Sequence, residues 1–502
     1  MAPPLHQAMM DTCDLLVVGG GINGIGIARD AAGRGLSVLV VEKDDLASHT
    51  SSWSSKLIHG GLRYLEQYEF RLVGEALAER EVLLDIAGHL VSPMRFIMPH
   101  VPELRPRWMI RVGLFLYDHL GRRTSLPGSE GISLAGPPYN AGLKESLRNG
   151  FIYSDCKVDD ARLVVANALD AKRLGAEILT RTLCVSAQRQ DGTWHAQIKD
   201  ARGNTRNVTA RAVVNAAGPW VKEVLNGHLH QPSRDNVRLV KGSHIVVPKV
   251  YEGGHAFILQ NDDQRVVFMI PYEGCFTLIG TTDVPVEGDP GRPQASDEEV
   301  AYLCRAVNRY LSKAVTPADV VWRYAGIRPL YDDGSSDPSA VTRDYTLRVD
   351  DDQGAMAVLS VFGGKITTYR RLAEHAMEKL APYFPGLKPA WTGKARLPGS
   401  DFAGSREAAY ETLRANYPQL PADTLGGVFR RHGTLAAAVL GDARTEADLG
   451  EHFGAGLHSR EVQYLVEHEW ARAAEDVLWR RTKAGLHLTA AQAERVAHWM
   501  PR

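Results

Sequence analysis

Residues 54–70, SSKLIHGGLRYLEQYEF, set His59 and Arg63 on either side of the glycine pair Gly60-Gly61, with Tyr64 next in line. Histidine titrates near neutral pH and suits proton transfer. A guanidinium fork binds phosphate or carboxylate through two parallel hydrogen bonds, whereas lysine acts as a point charge. Three more cations sit at the ends of β-like runs: Arg328 in YAGIRPL, Arg343 in VTRDYTL and Lys365 in FGGKITTY. Each alone also reads as a solvated surface residue, and a lone histidine as a hydrogen-bonded structural one. Arg328 and Lys365 stand apart because Gly326-Ile327 and Gly363-Gly364 are apolar or tightly turned flanks. An unpaired charge there is costly, so an anion is its natural partner. The chemistry in view is capture of a small anion beside a proton acceptor.

Such side chains need a scaffold, and the first one starts near residue 14. In DLLVVGGGINGIGIARDAAGRGLSVLVVEK, Leu15 to Val18 read as a buried strand, Ile22 to Arg34 as a helix and Ser37 to Val41 as a second strand. Gly19, Gly21 and Gly24 stand in the G-x-G-x-x-G frame, with small Ala28 one turn later. The first glycine permits the tight turn, the second admits a pyrophosphate to the backbone and the third packs helix on strand. The helix N-terminus favours the anion. Glu42 ends the second strand, where an acid accepts hydrogen bonds from a ribose. This fingerprint serves NAD and FAD alike. RAVVNAAGPWVKEVL (211–225) and AVLSVFGGKITTYRRLAEHAMEKL (357–380) add a strand ending in small residues and a strand–Gly-Gly–helix unit. Each can read as a plain strand-to-helix turn, but beside a dinucleotide fold the second aims a helix start at a flavin ring, where it stabilises negative charge.

From about Val237 to Ala357 short β-like runs broken by Gly, Asp and Pro predict a largely antiparallel sheet. The region after GKARLPGSDFAGSREAAY reads as a helical module, and SREVQYLVEHEWARAAEDVLWRRTKAGLHL carries apolar residues at helical spacing up to a stop at Gly485. Arg480 and Arg481 read as a solvated helix face, with phosphate or acidic lipid as the alternative. RPRWMIRVGLFLYDHLGRR (105–123) combines five arginines, Trp108 and large apolar residues, the composition of a helix lying in a membrane interface or of a buried scaffold helix with basic ends.

The 502 residues, 44% hydrophobic and 23% charged, suit two or three globular domains, and the net charge of -1 gives no sign of a nucleic-acid partner. Five scattered cysteines lack zinc-site spacing and fit a reducing compartment, so no metal is expected. The N-terminus lacks a signal-peptide pattern, and no segment is apolar for long enough to span a bilayer.

The run from DLLVVGGG through SSKLIHGGLRYLE, followed by RTSLPGS, YSDCKVDDARLV, KGSHIVVP, IGTTD, GIRPL, TRDY, FGGKITTYR and EHEWARAAEDVLWRRT, resembles aerobic, FAD-dependent glycerol-3-phosphate dehydrogenases of the bacterial respiratory type over about residues 12 to 500. The resemblance implies an α/β fold: a Rossmann-like FAD-binding domain of the glutathione-reductase or D-amino-acid-oxidase kind (12–236 and 357–390), an antiparallel β substrate domain (237–356) and a C-terminal helical domain (391–502), after an extraneous 1–11. It implies noncovalent FAD, oxidation of sn-glycerol 3-phosphate to dihydroxyacetone phosphate by hydride transfer to flavin N5, and ubiquinone as acceptor. It also implies peripheral attachment to the cytoplasmic face of the inner membrane and a homodimer. Arg63, Tyr64, Arg343 and Lys365 are assigned to the phosphate and glycerol oxygens, Arg328 to the developing oxyanion and His59 to proton transfer, with Arg328, Lys365 and His59 as the catalytic set. The cofactor set is Gly19, Gly21, Ile22, Asn23, Gly24, Glu42, Lys43, Ser51, Ser52, Ser55, Lys56, Ala217, Gly218, Gly363, Gly364, Lys365, Ile366 and Thr367. Alternatives are an oxygen-using glycerol-3-phosphate oxidase, a D-amino-acid-oxidase-like or sarcosine-oxidase-like amine oxidase, which needs only one carboxylate anchor, and a silent flavin-binding adaptor.

Overall fold

Leu15, Leu16 and Val17 are fully buried, as a strand covered on both faces requires, and they form the centre of strand β1 (Thr12–Val18). In this computed structural model, which describes residues 11–121, 125–233, 235–332 and 344–501, β1 leads into helix α1 (Ile22–Gly33) and strand β2 (Val38–Val41). β1 pairs in parallel with β2 on one side and with Thr205–Asn215 on the other. The sheet runs Thr346–Asp352, Ala355–Phe362, Thr205–Asn215, β1, β2, Glu177–Leu179, with the hairpin of Thr182–Gln190 and Thr193–Asp200 branching from it. Helix α1 lies against the helix Tyr369–Leu380, and a Cβ on Gly26 would come within 2.8 Å of the Tyr369 ring. Each aliphatic side chain buried in this layer contributes about 1.5–3 kcal/mol.

A second, ten-stranded sheet is mostly antiparallel and carries Val237–Pro248, Ala256–Gln260, Val266–Tyr272, Phe276–Gly280, Val284–Val286 and Trp322–Tyr331. Its other four strands, Leu57–Ile58, Val91–Pro99, Glu130–Ser133 and Asn149–Val158, come from the stretch assigned above to the nucleotide domain. Conversely Thr346–Asp352, expected in the substrate sheet, pairs with Ala355–Phe362 at the edge of the first sheet. Alternation along a strand tells which face is buried but not which distant strand lies beside it. The two sheets therefore interleave along the chain.

Helices α2 (Phe70–Ile86), α3 (Arg107–Leu120) and α4 (Asp160–Arg173) connect the layers. The Asp159 side chain caps α4 by accepting the Arg162 N–H at 3.2 Å. The C-terminal module follows from Arg406, with helices including Ala422–His432, Ser459–His468 and Ala490–Trp499. The periodic stretch ending at Gly485 is interrupted at Trp470, whose φ of 60° stops the helix and whose indole donates to the Ile178 carbonyl at 3.2 Å. Arg480 and Arg481 are buried rather than solvated, because Asp45 of the first domain meets both.

Candidate active site

The three glycines of the first turn occupy distinct environments. Gly19 has φ of +117°, and a Cβ there would lie 2.4 Å from the Ala216 carbonyl oxygen; one on Gly24 would lie 2.1 Å from the Gly19 oxygen. Those two glycines serve backbone packing. A Cβ on Gly21 would meet only Ser51 Oγ, at 3.1 Å, so this is where a ligand can reach the main chain. Helix α1 has no side-chain cap, and the Ile22 N–H donates to Ser51 Oγ at 3.0 Å. Its N-terminus is suited to a pyrophosphate. Glu42 accepts the Gly20 N–H at 2.7 Å and the Asp44 N–H at 2.8 Å. Burial raises its pKa against the pull of those amides. Lys43 places its ammonium 3.6 Å over the Trp220 ring.

Asn23 bridges the two halves of the cradle, since its Nδ2 donates to the Gly363 carbonyl at 3.2 Å. Its Oδ1 is buried without a hydrogen-bond partner, an unmet acceptor that a bound group with an N–H or O–H would satisfy. Ala217, Gly218, Gly363, Gly364, Ile366 and Thr367 also line the cleft. Three members of the expected cofactor set do not: Ser52, Lys56 and Gly24, the last of which packs against the Gly19 carbonyl. The Lys56 ammonium turns inward to Asp160 Oδ2 at 2.9 Å and to the Ser52 carbonyl at 2.8 Å, and Ser52 is buried beneath it. Lys56 and Ser52 brace the loop against α4, because a buried ammonium needs a carboxylate partner. Ser55 lines the cleft but spends its hydroxyl on His244 Nε2, 2.9 Å away.

One cleft of about 390 Å³ joins this cradle to the cationic residues. His59 enters it from a turn pinned to Thr367, whose Oγ1 accepts the His59 N–H at 3.3 Å. Burial and the charge of Lys365 lower the His59 pKa to about 4, so the ring is neutral at physiological pH. Its nitrogens make no hydrogen bond among the described residues, and its ring meets Phe268 edge-on with centroids 6.1 Å apart. The Gly60 N–H donates to the Tyr117 hydroxyl at 2.8 Å, and Tyr117 donates to Asp155 at 2.7 Å. Burial pushes the Asp155 pKa up to about 6 although Arg80 pairs with it. A residue of α3 thus holds the glycine pair in place.

Gly61, with φ of +80°, lies under the Tyr64 ring, where a Cβ would come within 2.2 Å. The Lys365 ammonium stands over the Tyr64 ring, 3.8 Å from its centroid. Arg63 lines the cleft, and its guanidinium has no side-chain partner among the described residues. Arg328 differs from expectation. It is ion-paired to Asp283 and donates to Thr281 Oγ1 at 3.1 Å, so its charge is met by the protein itself. Arg343 lies outside the described residues. Two cleft residues escaped the sequence reading: Asp283 in IGTTD and His244 in KGSHIVVP. His244 stacks on Tyr324 at 4.8 Å, and burial, aided by Arg328 and Lys56, lowers its pKa well below the usual value. Both sat in motifs whose alternation looked like ordinary strand.

Residues 14–370 match the family model described as FAD dependent oxidoreductase, and residues 390–502 match the C-terminal domain of alpha-glycerophosphate oxidase. The chain belongs to the FAD dependent oxidoreductase family. A glycerol-3-phosphate dehydrogenase of Pseudomonas aeruginosa is 55% identical to it over 492 residues, covering 98% of this chain and 96% of the relative. A D-erythritol 1-phosphate dehydrogenase of Brucella abortus is 52% identical over 495 residues, covering 98% of each. The solved structure of the glycerol-3-phosphate dehydrogenase from Bacillus halodurans, complexed with FAD, superposes with a TM-score of 0.73 at 27% identity, covering 97% of this chain and 93% of that one. The cradle of this FAD dependent oxidoreductase fits the cofactor on its own terms: an open helix N-terminus, a glycine whose missing side chain leaves room, and an unmet acceptor on Asn23.

Proposed function

We propose that this oxidoreductase converts sn-glycerol 3-phosphate to dihydroxyacetone phosphate and passes the electrons to ubiquinone at a membrane surface. The observation that carries this reading is a neutral histidine and an arginine with no side-chain partner among the described residues, sharing one cleft with the dinucleotide cradle.

Gly21, the Asn23 side chain, Glu42 and the 363–364 turn would hold FAD in this reading, which would supply the two-electron acceptor for the hydride leaving C2. Arg63, Lys365 and Tyr64 bind the phosphate; fixing the substrate in this way accounts for several kcal/mol of the barrier. Arg328, held in orientation by Asp283, faces the oxygen on which charge develops. His59 accepts the C2 hydroxyl proton as the carbonyl forms. Its low pKa keeps it unprotonated until substrate arrives, and the incoming phosphate, by adding negative charge to the cleft, raises its basicity. Arg328 is permanently charged and cannot take that role.

The acceptor is argued from the surface. Helix α3 exposes Trp108 (67%), Val112 (51%) and Phe115 (58%), with Arg107 and Arg111 beside them. The helix packs on the 62–67 turn that lines the cleft, and Arg105 binds Glu66 of that turn at 2.7 Å. An apolar face with basic neighbours suits an anionic membrane, where a quinone resides. Among the described residues no helix is long and apolar enough to cross a membrane. Attachment by this face to the inner side of a bacterial membrane is the reading it supports.

The Brucella abortus relative favours a second reading, D-erythritol 1-phosphate, because a phosphate clamp and a proton acceptor do not count carbons. Steady-state kinetics with both phosphates, using a quinone analogue or oxygen, tests the choice. Higher kcat/KM for sn-glycerol 3-phosphate with little oxygen uptake is expected. Preference for the tetritol phosphate would install the second reading, and efficient oxygen consumption would place the enzyme with the oxidases.

A further inference from the structure

In the C-terminal module the short strands His452–Gly454 and Leu457–His458 form a hairpin in which His452 and His458 are directly opposed. Their rings are stacked, with centroids 4.5 Å apart and planes at 12°. Just before the hairpin, Glu446 sits on a turn, Glu446–Leu449, closed by reciprocal hydrogen bonds between Thr445 and Asp448. One ligand atom from each of Glu446, His452 and His458 lies within 4.8 Å of the others.

The decisive detail is the state of His458. Its side chain is 3% exposed. Nδ1 lies 3.3 Å from the Gly456 carbonyl, which has no hydrogen to give, so Nδ1 carries the proton and Nε2 presents a lone pair. That Nε2 is buried with no hydrogen bond, yet it stands 3.3 Å from Glu446 Oε1. Two acceptors facing one another at this distance leave a gap that a proton does not fill with hydrogen-bond geometry. Around a tetrahedral zinc ion, with bonds of about 2.0–2.2 Å, neighbouring ligand atoms are about 3.3 Å apart. The other mixed cluster, Glu42, Asp44 and His49, differs: Glu42 already accepts two amides, and His49 binds Asp44 at 2.7 Å.

We propose that Glu446, His452 and His458 bind one divalent transition-metal cation, zinc by the chemistry of two imidazoles and a carboxylate. His458 and Glu446 are preset. His452 is exposed and makes no side-chain hydrogen bond among the described residues, so a modest side-chain rotation brings its nitrogen to the ion, and the fourth position is left to water. The hydrogen bond from Nδ1 to Gly456 is the outer contact that fixes ring orientation in such sites. The bound ion ties the hairpin to the turn before it. None of the three residues lines the cleft, so the site is structural and independent of catalysis.

The test uses the full-length, FAD-loaded protein after chelator treatment. Calorimetric titration with zinc should give one cation per chain with a micromolar or tighter Kd, and cobalt should give the visible absorption of a tetrahedral site. His452→Ala and Glu446→Gln, both at partly solvent-facing positions, should each weaken binding at least about tenfold. Their flavin spectra and metal-free Tm should match wild type. No saturable binding at millimolar zinc would overturn the proposal and leave His458 and Glu446 as an ion pair. Binding unchanged in both variants would overturn it as well, by placing the cation elsewhere.

Discussion

In the C-terminal module Arg431 gives two hydrogen bonds of 2.6 Å to Glu461, Arg481 gives two of 2.8 Å to Asp45, and Arg162 of α4 reaches across to Glu469. Burial is the largest influence on Glu461 and opposes its ionisation, but the charges and hydrogen bonds of Arg431 and His432 together outweigh it and hold the pKa at about 2. In the cleft the pattern is reversed: Arg63 has no side-chain partner among the described residues, the His59 nitrogens are uncommitted, and Asn23 Oδ1 is unmet. Both regions remove charged or polar groups from water. In the cleft the valences stay open towards a cavity large enough for a ligand. Buried charge by itself is therefore a poor sign of function here, whereas unmatched polarity facing a cavity marks where a ligand completes the structure.

That contrast can be broken residue by residue. His59→Asn should lower kcat by about 10²–10⁴-fold with flavin content and Tm unchanged, as loss of a proton acceptor predicts. In the wild type, the acid limb of kcat/KM, which reports the free enzyme, should fall near pH 4 instead of near the usual histidine value, and a limb at 6.5 would refute the assignment. Arg162→Met should do the opposite, costing about 3–5 kcal/mol of unfolding free energy in a denaturant titration by stranding Glu469. Its folded fraction should keep wild-type kcat/KM. The same module carries an acid sensitivity of known sign: the folded-state pKa of Glu461 is depressed, so its stabilisation is present above about 4.5 and is lost as pH falls towards about 2. Arg63→Ala is the smallest of the three effects. It should reduce kcat/KM for the phosphate substrate by about 10- to 100-fold, the worth of hydrogen bonds to a charged group, and leave Tm within about a degree.

The β1–α1–β2 unit could be read residue by residue because everything that specifies it is local: a buried run, three spaced glycines and a terminal acid. The positions of Gly19, Gly21 and Gly24 follow the packing roles their spacing implied. The cleft likewise gathers His59, Arg63, Tyr64, Arg328 and Lys365 from segments up to three hundred residues apart. What could not be read is partnership. Nothing near Arg480 announces Asp45, 435 residues away, and nothing near Arg328 announces that Asp283 rather than a ligand meets its charge. Lys56 belongs to the cofactor set that the resemblance implies, and only α4 supplies the Asp160 that turns it inward. The exchange of strands between the two sheets has the same origin, since Val91–Pro99 has no local signal for pairing with Ala256–Gln260. Likewise, the Tyr117–Asp155 support under Gly60 joins three segments that no spacing rule connects.

Anaerobic spectroscopy of the purified flavoprotein shows whether a phosphorylated secondary alcohol beside bound FAD completes the open valences of the cleft. Addition of sn-glycerol 3-phosphate should bleach the flavin absorbance in the wild type and, at the same low concentration, bleach it about 10- to 100-fold more slowly in Arg63→Ala. A wild-type spectrum that does not bleach would exclude sn-glycerol 3-phosphate as the substrate of this cleft.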